Sequence, residues 1–129
     1  LNLDKNLPCV QVNEFVIWEI IEPLIQNCIE HGGNNFITIE IQTKYFKDIN
    51  LSKIIISDNG KGFEKCLLEK DENSIKKLFL ENISTKINDS QNIGYGCFIA
   101  YEISRRCNWD LDAYNNECGG ATFELKIKN

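Results

Sequence analysis

The 129-residue sequence contains no methionine, two prolines and a single histidine. Because a native chain starts with methionine, we expect residues 1–129 to be one domain of a longer protein. No apolar run approaches the roughly 20 residues that a transmembrane helix needs. The charged residues Asp4 and Lys5 come early, and no apolar segment of a signal peptide follows them. We therefore expect a cytoplasmic domain without membrane contact, whether or not the full-length protein carries a membrane anchor.

A basic surface and a metal-binding cysteine pattern are also missing. The net charge is −5, and Lys and Arg are scattered along the chain without a basic run. This distribution argues against nucleic acid as the primary partner. The six cysteines form no CxxC pair and the one histidine stands apart from most of them, so no zinc site is expected. With 43% hydrophobic and 26% charged residues, the chain can bury a core without disulfides, which favours reduced thiols.

The apolar residues of the N-terminal part recur at helical spacing. From Phe15 to Cys28 they fall on one face, which predicts a long amphipathic helix. Asn13 is a suitable N-cap, and Gly32-Gly33 is typical of a helix C-terminus. Pro23 lies inside this pattern, so we expect a kink or a join there.

Strand and helix patterns follow one another along the rest of the chain. The first dozen residues predict a short edge strand or an extended lead-in. Apolar runs and alternation predict a hairpin and two later strands, over residues 37–42, 53–57, 109–113 and 121–127. Helical spacing predicts helices over 74–80 and 93–107, and the polar residues 81–91 predict a mobile loop.

Three polar features interrupt these elements. Asn27 lies on the long helix, where its amide oxygen suits a magnesium ion, and His31 follows one turn later. Asp58 ends an apolar strand before two glycines, where a carboxylate can accept hydrogen bonds from the amino edge of a base. Gly94-Tyr95-Gly96 precedes a helix, whose free N–H groups favour an anion. Each pattern by itself is also typical of ordinary structure: a polar margin of a core helix, an Asx-Gly turn and a loop-to-helix turn.

Five segments of the chain resemble, in sequence order, the motifs of the GHKL (Bergerat-fold) ATPases. Within that family they are most similar to the catalytic ATP-binding domain of bacterial sensor histidine kinases. Their order matches the N box, the G1 box, the F box with its lid entry, the G2 box and the closing strand. The segments are Glu22–Gly32, Asp58–Phe63, Phe79–Lys86, Gly94–Ala100 and Gly119–Phe123. The resemblance implies an α/β two-layer sandwich, with a mixed sheet of about five strands and about three helices on one face.

The resemblance assigns one end of the site to adenine. Asp58 would accept the adenine amino group, and Gly60 and Gly62 would let the purine lie against the backbone. Thr122 would support Asp58, directly or through water.

The other end is assigned to the phosphates of ATP. Asn27 would ligate the Mg²⁺ that bridges the triphosphate, and His31, the candidate catalytic residue, would reach a phosphate. Gly94, Gly96 and Lys86 would meet the phosphates as a lid closes.

The implied activity is phosphoryl transfer to a partner. ATP-hydrolysing members of the family carry a water-activating Glu four residues before the Asn of the N box, but here that position is Pro23. The γ-phosphate would then pass to a histidine on a separate dimerisation domain of the same protein, and onward to a response regulator. The phosphoacceptor would lie outside this chain.

Departures from the family pattern leave two alternatives open. Phe98 stands where the family has a glycine, and Glu30 replaces the usual lysine. Both changes favour a degenerate nucleotide-binding or interaction module with weak phosphotransfer. The second alternative is an anti-sigma-type serine kinase of the same fold.

Overall fold

The structure is a computed structural model that describes residues 1–9, 14–31, 37–80 and 95–128. Its helices and strands are α1 (Glu14–His31), β1 (Ile39–Phe46), β2 (Leu51–Asp58), α2 (Lys65–Leu68), α3 (Tyr95–Arg106), β3 (Asp110–Asn115) and β4 (Ala121–Lys128). Short 3-10 turns cover Lys47–Ile49 and Lys77–Phe79. No helix in the described ranges is long and apolar enough to cross a membrane.

The strands form one sheet in the order β1-β2-β4-β3, and each neighbouring pair is antiparallel. Ile41, Ile56, Phe123 and Ala113 lie in register across it. The predicted α/β fold class is confirmed. The sheet differs in detail from the mixed sheet of about five strands, because the described residues contribute four antiparallel strands. Within residues 1–9, the lead-in adds an isolated parallel bridge between Asn2 and Gln42 of β1.

The core lies between one face of the sheet and the helices α1 and α3. Phe123, Leu125 and Ile127 alternate along β4 and are all buried on this face. They join Ile20 of α1 and Ala100 of α3 in one hydrophobic cluster. The same alternation along β2 places Asp58 on the helix-facing side of the sheet, in line with buried Ile56.

Pro23 does not divide the first helix. α1 runs without interruption from Glu14 to His31, so the predicted join is absent there. Gly96, in the first turn of α3, lies against the proline: a Cβ at Gly96 would be 3.2 Å from Pro23 Cβ. The missing side chain therefore lets the two helices approach closely at this point.

The helix predicted over residues 74–80 is wrong. Only Lys77–Phe79 form a 3-10 turn, and Ser74 has a φ of 64° that an α-helix does not contain. Residues 69–77 instead form a tight reversal in which Lys70 and Lys76 make an isolated antiparallel bridge. Ile75 O accepts the Asp71 N–H, and the Lys77 N–H donates to Glu69 O, both at 2.9 Å. A helix over 74–80 would give Ile75 O to the Phe79 N–H, so the bridge and the helix exclude each other.

Several sequence predictions lie outside the described residues. They are the N-cap at Asn13, the C-cap at Gly32-Gly33, the loop over 81–91, and the phosphate-site residues Lys86 and Gly94.

Candidate functional site

The centre of the site is the Asp58 carboxylate at the end of β2. The residue is only 6% exposed. Its Oδ1 accepts the backbone N–H of Gly60 at 2.9 Å and that of Ala121 at 3.0 Å. Among the described residues no Lys or Arg forms an ion pair with it. A buried carboxylate needs hydrogen-bond donors, and here the backbone supplies two of them to one oxygen.

The thiol of Cys28 lies against this carboxylate. Burial, and then the adjacent Asp58, raise the pKa of Cys28 far above its usual range. The thiol therefore stays protonated and can donate to Asp58. A carboxylate has about four lone-pair positions. Two backbone N–H groups and one thiol leave it free to accept at least one further donor from a ligand.

The glycine turn after Asp58 packs against the turn between β3 and β4. Gly62 has a φ of +79°, and a Cβ there would be 2.5 Å from Gly119 O and 2.7 Å from Asn115 Oδ1. Gly62 thus allows two chain segments to touch, a purpose that sequence reasoning did not assign to it. Gly60 contributes its N–H to Asp58, and its expected role beside a purine stays a prediction.

Asn116, in the turn between β3 and β4, contacts the site through its side chain. Its Nδ2 donates to the backbone oxygen of Asp58 at 3.1 Å and to Thr122 Oγ1 at 3.1 Å. Its Oδ1 accepts the N–H groups of Cys118 and Gly120 at 3.1 and 2.9 Å. Two consecutive Asn before Gly-Gly are the only local signal, and they indicate a turn without indicating its partner.

Thr122 is buried in the strand that pairs with β2. It lies opposite Ser57, and the two hydroxyl oxygens are 3.3 Å apart. Because side chains alternate along a strand, Thr122 and the Asp58 carboxylate occupy opposite faces of the sheet. The described hydrogen bonds link Thr122 to Asp58 through Asn116. Its expected support of Asp58 stays a prediction.

Two of the residues expected at the phosphates, Asn27 and Gly96, lie in the described part of the chain. Asn27 is half-buried, and no described residue forms a hydrogen bond with its amide. It lies one helical turn after Pro23, which contacts Gly96, and directly before Cys28, which contacts Asp58. Asn27 therefore lies on the stretch of α1 that contacts both α3 and the end of β2. His31 is the last residue of α1, while Lys86 and Gly94 lie outside the described ranges.

Comparison with known proteins places this arrangement in a family. The family described as histidine kinase-, DNA gyrase B- and HSP90-like ATPase matches residues 13–129. The fold is similar to the catalytic domain of histidine kinase ThkA in a nucleotide-free form, at 22% identity, with 98% of this chain and 76% of that chain covered and a TM-score of 0.75. A comparison with curated protein sequences found no match.

Two further solved structures share the fold. Full-length ShkA in complex with AMPPNP is similar at 14% identity and a TM-score of 0.72, over 98% of this chain and 24% of that chain. The mycobacterial sensor histidine kinase MprB is similar at 10% identity and a TM-score of 0.66, over 90% of this chain and 72% of that chain. At these identities the likeness establishes the fold.

Proposed function

The chain belongs to the histidine kinase-, DNA gyrase B- and HSP90-like ATPase family, and from that premise we propose that it binds Mg-ATP and presents the γ-phosphate to a histidine on a dimerisation domain of the same protein. A response regulator would receive the phosphoryl group from that histidine. The observation that carries the proposal is the buried Asp58, whose carboxylate keeps acceptor capacity after its backbone and thiol donors are counted.

Adenine suits the Asp58 end of the site because the exocyclic amine of adenine is a hydrogen-bond donor. A carboxylate accepts hydrogen bonds only, so it favours an amino group over a carbonyl oxygen at the same position of a purine. Oδ1 is fixed by the N–H groups of Gly60 and Ala121, which orients the carboxylate before the ligand arrives. Two backbone donors and one ligand donor would then satisfy a buried charge that has no cation among the described residues.

Magnesium fits the Asn27 end. A hard divalent cation takes oxygen ligands, and the Asn27 amide has no hydrogen-bond partner in the described part of the chain. Asn27 would hold the ion, which when bound neutralises charge on the phosphates. The first turn of α3 at Gly96 lies beside the same region of α1, so α3 would face the phosphates with its N-terminal end.

The residues on α1 favour transfer over hydrolysis. The position four residues before Asn27 is Pro23, which has no proton acceptor in its side chain, and Glu22 is exposed one position earlier. The residue at the position that activates water in hydrolytic relatives therefore cannot act as a base. Phosphoryl transfer depends on positioning and charge neutralisation, and a histidine brought in by a partner domain supplies the nucleophile.

Titration with a non-hydrolysable ATP analogue, with and without Mg²⁺, tests the site. We expect Asp58→Asn to weaken binding roughly 10- to 150-fold, the equivalent of one hydrogen bond to a charged group. The variant keeps an oxygen for the Gly60 and Ala121 N–H groups but turns a donor toward the adenine amine. Asp110→Asn, at an exposed strand end, is the matched control and should bind like wild type. Equal affinity of Asp58→Asn and wild type would show that Asp58 does not bind the base.

A second assay separates a kinase from a degenerate module. Phe98 lies two residues after Gly96 in the first turn of α3, at a position where the family pattern has a glycine. Purified chain, ATP and the parent protein's dimerisation fragment should yield a phosphohistidine that is stable to alkali and labile to acid. Tight ATP binding without this product would favour the degenerate module. A phosphoserine on a separate protein would favour the anti-sigma-type serine kinase.

A further inference from the structure

Two consecutive asparagines at the end of β3 form hydrogen bonds with both ends of the segment Asp58–Phe63. Asn116 Nδ2 donates to the backbone oxygen of Asp58 at 3.1 Å. Asn115 pairs with Phe63 in both directions: its Oδ1 accepts the N–H at 2.7 Å, and its Nδ2 donates to the carbonyl oxygen at 3.2 Å. The six-residue segment is thus fixed at its first and last residues by neighbouring side chains from a distant part of the chain.

The Asn116 side chain also shapes the turn that carries Ala121. Its Oδ1 accepts the N–H of Gly120 at 2.9 Å, and its backbone N–H donates to Gly120 O at 2.8 Å. An amide side chain has two donor hydrogens and one acceptor oxygen, and Asn116 uses all of them here. The turn and the end of β2 are therefore held by the same side chain.

The turn lies directly on Asp58. A Cβ at Gly120 would be 2.0 Å from the backbone oxygen of Asp58, so the two backbones are in contact. The next residue, Ala121, donates its N–H to Asp58 Oδ1 at 3.0 Å. A displacement of the turn would therefore move the donor that orients the carboxylate.

From these contacts we infer that Asn116, together with Asn115, is a positioning clamp that holds Asp58 and its glycine turn in the base-binding arrangement before the nucleotide arrives. The inference rests on the proposed function for the identity of the ligand. The clamp touches neither base nor phosphate in this scheme. It acts on affinity by preorganisation, because a segment that is already ordered loses less conformational entropy on binding.

Asn116→Asp tests the link from Asn116 to β2 independently of the bonds that close the turn. The aspartate keeps an oxygen that accepts the Cys118 and Gly120 N–H groups, so the turn can still close. It replaces the Nδ2 donor with an oxygen that faces the Asp58 carbonyl oxygen, so the link to β2 is lost. Asn115→Asp, at an exposed position, does the same at the Phe63 end and remains available if Asn116→Asp fails to fold. Asn73→Asp, on an exposed turn, makes the same change of charge and serves as control.

Amide hydrogen exchange of the ligand-free protein tests the clamp without a nucleotide. We expect faster exchange at the Gly60 and Ala121 amides in Asn116→Asp, by about tenfold or more, while amides in the middle of β4 keep wild-type rates. The Asn73→Asp control should leave all of these rates unchanged. Unchanged exchange at Gly60 and Ala121 in Asn116→Asp would overturn the inference.

The ratio of affinities for ATP and inosine triphosphate tests the positioning role. The two nucleotides differ at the purine 6-position, where ATP has the amine that Asp58 would accept. We expect Asn116→Asp to reduce the preference for ATP roughly two- to tenfold, the equivalent of one neutral hydrogen bond. If Asn116 had a purely structural role, Asn116→Asp would lower the affinities for ATP and inosine triphosphate by the same factor. A constant ratio of the two affinities, together with altered amide exchange, would therefore overturn the inference. Wild type without saturable ATP binding would instead overturn the proposed function, while the exchange experiment would still decide whether the clamp exists.

Discussion

Replacing Gly120 with alanine tests how closely β4 approaches Asp58. A Cβ at this position would lie 2.0 Å from the Asp58 backbone oxygen, whereas ordinary contact begins at 3.4 Å. The turn would have to move by the difference, about 1.4 Å. The Ala121 N–H lies 3.0 Å from Asp58 Oδ1, and a movement of this size breaks that hydrogen bond.

Two terms set the expected loss of stability of Gly120→Ala. Overpacking of a tight site costs about 1 to 3 kcal/mol. Loss of a hydrogen bond to a charged group adds about 1.5 to 3 kcal/mol. We therefore expect the free energy of unfolding to fall by roughly 2.5 kcal/mol or more, and Tm by roughly 8 °C or more. Urea and thermal unfolding, followed by circular dichroism, measure both quantities.

Gly119→Ala is the matched control. Gly119 has a φ of +87° but nothing within 4 Å of an added Cβ, so alanine meets backbone strain without a clash. The expected cost is about 1 to 2 kcal/mol. If Gly120→Ala proves no more destabilising than Gly119→Ala, the close contact between the turn and Asp58 is wrong, and the positioning clamp loses its basis.

Two further predictions concern the Cys97 thiol and the Lys76 ammonium. Burial raises the pKa of Cys97 to about 12, so the folded thiol keeps its proton where the unfolded thiol ionises. Under reducing conditions its contribution to stability should be complete below about pH 8.5 and fall above it by up to about 1.4 kcal/mol per pH unit. Cys28, whose pKa is also raised, contributes a loss in the same direction, so Cys97→Ala should reduce but not abolish the fall of the free energy of unfolding between pH 9 and 11. An unchanged slope in urea unfolding would contradict the buried Cys97 thiol. Lys76, whose ammonium donates to Ala113 O and pairs with Asp112 at 3.0 Å, is 18% exposed in its side chain, so Lys76→Met should cost about 1 to 3 kcal/mol. The control is Lys77, which pairs with Glu69 at 3.5 Å and has a 41% exposed side chain, so Lys77→Met should cost less than about 1 kcal/mol. Equal costs for the two variants would show that the contacts of Lys76 with Ala113 and Asp112 do not stabilise the fold.

Periodic elements could be predicted from the sequence because their pattern is local. The long helix and the strands around Ile56 and Phe123 have apolar residues at the expected spacing, and the structure contains them. The helix over 74–80 was wrong because Ile75 O and the Lys77 N–H are bonded to the backbones of Asp71 and Glu69, and apolar spacing does not report such pairing. Apolar periodicity therefore located the core elements and missed a segment held by a local backbone bridge.

The residues that organise Asp58 could not be predicted in the same way. Asn115 and Asn116 contact partners 52 and 58 residues away in the chain, and their local pattern indicates only a turn. Cys28 fits the apolar face of α1, and its contact with Asp58 follows from the placement of α1 across the helix-facing side of β2. Asp58 itself was identified from a motif, whereas its supporting shell depends on tertiary packing.

Pro23 connects the packing of the helices with the proposed chemistry. Its ring faces Gly96, so the position four residues before Asn27 is used for contact between α1 and α3. A carboxylate side chain at this position would start from the same point against the α3 backbone at Gly96. The same contact holds the first turn of α3 beside the Asn27 end of the site. Pro23, whose side chain cannot act as a base, thus packs against the helix that the proposed function places beside the phosphates, and in that proposal the nucleophile comes from a partner domain.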